Sequence, residues 1–125
     1  MSNAGTLKPL DFVGSSREDL RGFPDEVKQD IGYALFEAQT GQKPLAAKPL
    51  KGFGGAGVLE IIENFDGATY RAVYTVKFAK AIYVLHCFQK KSKSGMKTPQ
   101  QDLGLIQRRL RAAEEDYQVR YQRGE

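Results

Sequence analysis

One cysteine, one histidine and no tryptophan occur in this chain of 125 residues. A single cysteine, Cys87, excludes an intramolecular disulfide and any zinc site built from cysteines. A single histidine, His86, argues against a His-rich metal site, so no metal and no cofactor are expected. No apolar run approaches the length of a membrane span, and the N-terminus has no signal-peptide core. A cytoplasmic protein without membrane contact is the expectation. Charge of one sign is also modest. Nineteen basic against fifteen acidic residues leave +4, with a pI of about 9.2. That balance is compatible with a nucleic-acid partner without being diagnostic of one. An apolar fraction of 41% with mixed charge excludes a disordered chain, and the length suits one domain over 1–125. The ends, 1–6 and 118–125, are expected to fray.

What is present centres on Thr69 to Pro99. Two β-rich runs, Tyr70–Phe78 and Ala81–Gln89, flank the short connector Ala79-Lys80 and read as a hairpin. In the first run Tyr70, Ala72, Tyr74, Val76 and Phe78 share one face, and Arg71, Val73, Thr75 and Lys77 the other. The second run is apolar on both faces, as in a central strand covered from both sides. It passes into Lys90, Lys91, Lys93 and Lys97, four lysines within eight residues. Cations at the end of a buried strand, with Arg71 on its neighbour, suit a phosphate-bearing partner. The same lysines could equally form a solvated loop.

Before this hairpin the chain reads as a strand at Leu10–Gly14, then a short helix with Ser15 and Glu18 at capping-box spacing, ended by Gly22 and Pro24. A second helix follows, with Val27, Ile31, Ala34, Leu35 and Ala38 at helical spacing and Gly41 as its stop. Gln42–Gly57 reads as a loop. Its glycines lack the Lys-Ser/Thr sequel of a phosphate loop. Val58–Phe65 is a strand, and Asp66-Gly67 a strong hairpin turn. After the lysines, Thr98-Pro99-Gln100-Gln101 predicts a capping box with Pro99 at the first helical position. Leu103, Ile106, Leu110, Ala113 and Tyr117 form one apolar stripe. The order is β-α-α-β-β-β-α, an α+β domain with a mainly antiparallel sheet packed by helices.

This order and four sequence pieces resemble the RelE/ParE superfamily of bacterial toxins, most nearly its HigB-like, phage-related branch. The pieces are Leu50-Lys51-Gly52, Tyr70-Arg71, Phe88-Gln89-Lys90-Lys91 and Lys97-Thr98-Pro99. The resemblance implies the toxin of a type II toxin–antitoxin system. Its activity would be a metal-independent endoribonuclease (an mRNA interferase and hydrolase) acting on ribosome-bound messenger RNA and inhibiting translation. It implies an antitoxin, commonly with a helix-turn-helix domain; the exposed helices would support either a dimer or a toxin–antitoxin heterotetramer.

Metal-free RNA cleavage needs a base for the 2′-hydroxyl, charge stabilisation at the phosphate and an acid for the leaving oxygen. By its match to the Tyr-Arg motif, Arg71 is the candidate for charge stabilisation. Lys51, before the meander, matches the family's basic residue ahead of the second strand and is the candidate base. Lys90 or Lys91 is the candidate acid or phosphate clamp. Lys93 and Lys97 would grip flanking phosphates, and Tyr70 or Tyr74 would stack on a base. Relatives use a histidine near the C-terminus, and this chain has none there. His86 reads first as a core histidine with one satisfied nitrogen and second as catalytic, and Cys87 as a small buried hydrophobe. The fold also hosts non-nuclease toxins that bind a protein target such as DNA gyrase, and an inactive phage-derived binding protein is a third reading.

Overall fold

Apolar residues at alternate positions build a sheet here, and apolar residues three and four apart build the helices that cover it. The computed structural model describes residues 7–55, 57–90 and 98–122. The elements are β1 (Leu10–Phe12), α1 (Ser16–Arg21), α2 (Asp25–Gln39), β2 (Ala47–Pro49), β3 (Val58–Phe65), β4 (Ala68–Thr75), β5 (Ile82–Lys90) and α3 (Gln100–Tyr117). A π-helical turn, Gln118–Gln122, extends α3. In this turn Arg120 and Tyr121 bond Asp11, tying the C-terminal end of α3 to β1.

The five strands lie in the order β1-β5-β4-β3-β2. β3, β4 and β5 form the expected antiparallel meander, and β1 runs parallel to β5. Asp66 and Gly67 make its first hairpin, both with positive φ (51° and 80°), as a two-residue turn with the strand twist requires. β2 lies inside 42–57, where the sequence pattern predicts a loop. Three residues carry too little alternation to mark a strand, and its pairing with β3 supplies what its sequence does not. The second hairpin is also wider than the two residues expected. β4 ends at Thr75 and β5 begins at Ile82, because Val76 turns out to solvent and Phe78 turns back into the core.

Two cores sandwich the sheet. On one side Val27, Ile31 and Leu35 of α2 meet Ile61, Ala72, Tyr74 and Val84. On the other, Ile106, Leu110, Ala113 and Tyr117 of α3 meet Val58, Val73, Tyr83 and Leu85. β5 is buried on both faces, as its composition predicts. A bulge interrupts its ladder. Val73 pairs with His86 and Tyr74 with Val84, which leaves Leu85 as the extra residue. Leu85 and His86 therefore both face α3, and the Leu85 carbonyl accepts a hydrogen bond from Arg109 Nη1 at 2.9 Å. Among the described residues no helix is long and apolar enough to cross a membrane.

Neither expected capping box forms. Ser15 precedes α1 and donates to the Asp19 carboxylate instead of capping the backbone. α3 is preceded by Pro99, one residue later than expected, because the Thr98 hydroxyl is engaged by the sheet.

Candidate functional site

A carboxylate, a guanidinium and an imidazole lie on the α3 side of the sheet, one from each strand of the meander. Strand alternation puts Glu60 of β3, Arg71 of β4, and His86 and Phe88 of β5 on this face. Glu60 stands opposite Val73, and Val73 opposite His86. Without the bulge at Leu85, His86 would point to the α2 side. Arg71 Nη1 donates to Glu60 Oε2 at 2.9 Å, with the two side chains 1% and 3% exposed. Thr98 Oγ1 bridges this pair, 3.3 Å from Arg71 Nη1 and 3.1 Å from Glu60 Oε2. Next to it His86 Nε2 lies 2.7 Å from Asp102 Oδ1, in the first turn of α3, and the imidazole stacks on Phe88 at 4.7 Å. The second ring nitrogen, Nδ1, is buried without a partner among the described residues. Two polar contacts thus fasten the start of α3 to the sheet.

The residues singled out in the sequence fall in different places. Arg71 is at the centre of this cluster. Lys90 ends β5 opposite Thr69, half-buried and on the face shared by His86 and Phe88. Lys51 is exposed in the loop after β2. Its neighbours Leu50 and Phe53 seal the α3-side core beside Val58. That is the opposite end of the β3–β4 ladder from Lys90. Lys91, Lys93 and Lys97 lie outside the described residues. Tyr70 and Tyr74 lie on the α2 side. Tyr70 packs edge-on against Phe23 at 4.9 Å, and Tyr74 is fully buried. Burial, and secondarily the charge of Glu37, pushes the Tyr74 hydroxyl up to about 12. Stacking either ring on a base would require opening that core, and the sheet separates both from Arg71. Burial likewise pushes the Cys87 thiol up to about 12, as suits an inert core thiol.

Glu60 and Asp102 were not anticipated. Glu60 did leave a signal, a carboxylate in the middle of the apolar run Val58-Leu59-Glu60-Ile61-Ile62. Asp102 left none, because an acid in the first turn of a helix is ordinary. Among the described residues no group of three or more His, Cys, Asp or Glu side chains could hold a metal ion. Chemically, the cluster offers one buried guanidinium held by a carboxylate, with a lysine at the strand end on the same face.

Residues 18–111 match the family described as Phage derived protein Gp49-like (DUF891). No curated protein matches the chain. Among solved structures, a double arginine-to-alanine mutant of the Escherichia coli toxin RelE in the free state superposes with a TM-score of 0.58 at 19% identity, covering 82% of this chain and 97% of that one. Identity at this level establishes a shared fold: an α+β domain whose mixed sheet is packed by helices, in the arrangement expected from the sequence.

Proposed function

The chain belongs to the phage-derived Gp49-like family, and on that premise we propose that it is the toxin of a toxin–antitoxin pair, an endoribonuclease of the HigB-like branch that cuts messenger RNA on the ribosome. One observation carries this reading. On a fold shared with the toxin RelE, Arg71 and Lys90 lie along the same face of adjacent strands at one end of the sheet. In the resting protein Glu60 occupies the Arg71 guanidinium, and an RNA phosphate exchanges for that carboxylate as the transition state forms. Lys90 and Lys91 clamp the phosphate and divide the proton transfers, one taking the 2′-hydroxyl proton and the other protonating the leaving oxygen. Lys51, at the far end of the β3–β4 ladder, holds RNA backbone away from the cut. Lys93 and Lys97 hold the flanking backbone. A helix-turn-helix antitoxin silences the activity in a heterotetramer.

A second reading has its own observation. Arg71 is 1% exposed and already ion-paired. A guanidinium so enclosed favours a non-nuclease toxin that acts on a protein target such as DNA gyrase, or an inactive binding protein.

The deciding experiment is induced expression with growth curves and primer extension on cellular messenger RNA. The variants are Lys51→Ala/Lys90→Ala on the surface and Arg71→Gln/Glu60→Gln in the interior, the second removing both charges so that neither is stranded. The nuclease reading expects growth arrest with new 5′ ends inside translated messages, both lost in folded variants. Arrest without message cleavage moves the assignment to a protein target. No arrest leaves a binding protein.

A further inference from the structure

Helix α2 has a second face that the fold does not use. Val27, Ile31, Ala34, Leu35 and Ala38 point into the core. On the other side Tyr33 and Phe36 are 64% and 46% exposed, their ring centroids 6.4 Å apart. Two large aromatics on one turn form a patch of apolar surface, unlike isolated exposed residues. Beside Tyr33, positions 26, 30, 33 and 37 fall in one line along the helix, which sets Glu26, Asp30 and Glu37 in a row. Glu63 of β3 reaches the same row, close enough to hydrogen-bond Asp30. In a chain of net charge +4, α2 holds four acids and a single lysine, and that lysine, Lys28, pairs with Asp25 at 3.5 Å. The row repels itself. The Glu63 carboxyl is held above its ordinary value, by burial first and then by the charges of Asp30 and Glu26. A cationic partner relieves that repulsion, whereas an RNA backbone would increase it.

We propose that this face docks a partner protein through a cationic amphipathic helix. The apolar stripe of that helix lies on Tyr33 and Phe36, and its lysines or arginines face Glu26, Asp30 and Glu37. The proposal is independent of the nuclease reading. α2 and α3 cover opposite sides of the sheet, so a partner docked here leaves the Arg71 side open.

The test uses the full chain and two fluorescein-labelled peptides about 18 residues long. One is an amphipathic leucine–lysine helix and the other its leucine–glutamate counterpart. Binding is read by anisotropy at low and high salt, and the contact is mapped by amide chemical shifts. The variants are Tyr33→Ser/Phe36→Ser and Glu26→Gln/Asp30→Asn/Glu37→Gln, with thermal melts confirming that each folds. The expected result is binding of the lysine peptide only, weakened by salt and reduced about tenfold or more by each variant, with shifts on α2 and around Glu63. Loss in the charge variant alone would reduce the contact to diffuse attraction and overturn the proposal, as would shifts centred elsewhere. A dimer in sedimentation that the Tyr33→Ser/Phe36→Ser variant abolishes would give the face to a second copy of this chain. An RNA oligonucleotide that shifts α2 would overturn the choice of a protein.

Discussion

The Glu60 carboxylate lies 2.9 Å from the Arg71 guanidinium, and neither side chain reaches solvent. The two are not direct partners across the ladder. Arg71 pairs with Ile62 and Glu60 with Val73, so the contact is a diagonal one, within reach of a long arginine. Removing one member leaves the other charge buried and uncompensated. Arg71→Ala should therefore cost about 3–5 kcal/mol in chemical denaturation. The double replacement Arg71→Met/Glu60→Leu should recover most of that loss. A single-variant cost no larger than that of an exposed pair would show that water already solvates Glu60.

Tyr74 presents the opposite case. Its hydroxyl is buried with no hydrogen-bond partner among the described residues. Burying an unsatisfied polar group costs about 1–3 kcal/mol, so Tyr74→Phe should raise the melting temperature. A drop would reveal a partner for that hydroxyl, such as an internal water.

Glu63 gives a pH dependence with a definite sign. Its folded value is raised above the unfolded one, by burial and then by Asp30 and Glu26. A carboxyl raised in this way contributes stability below its unfolded value, and that contribution is lost as pH rises through the folded value. At neutral pH the charged Glu63 works against the folded state. Glu63→Gln, which keeps the shape and a hydrogen bond for Asp30, should raise the melting temperature at neutral pH and leave it unchanged near pH 3. Equal effects at both would assign the change to packing.

Gly14 and Arg109 are coupled. Gly14 has φ +59°, and a Cβ there would stand 2.8 Å from the Arg109 guanidinium, which holds the Leu85 carbonyl at the bulge. Gly14→Ala should cost about 1–2 kcal/mol for the left-handed backbone, plus the displacement of Arg109. In an Arg109→Ala background only the backbone part should remain. A double-mutant cycle showing no coupling would place the guanidinium elsewhere in solution.

Local pattern determined much of this protein. The stripes of α2 and α3, the two-faced burial of β5 and the Asp66-Gly67 hairpin follow from periodicity and turn chemistry, which act between residues close in the chain. Arg71 could be singled out because a motif marks it. What only tertiary structure decided is the company each residue keeps. Alternation put Arg71 on one face and Tyr70 and Tyr74 on the other, but which face was which depended on where α2 and α3 packed. β2 exists because β3 offered it an edge. His86 faces Asp102 because one extra residue, Leu85, shifts the register of β5. Thr98, a helix cap by its sequence, bonds instead to the buried pair of Glu60 and Arg71. A charge buried among apolar residues outcompetes a helix end that water can reach, and that contest is settled between residues far apart in the chain.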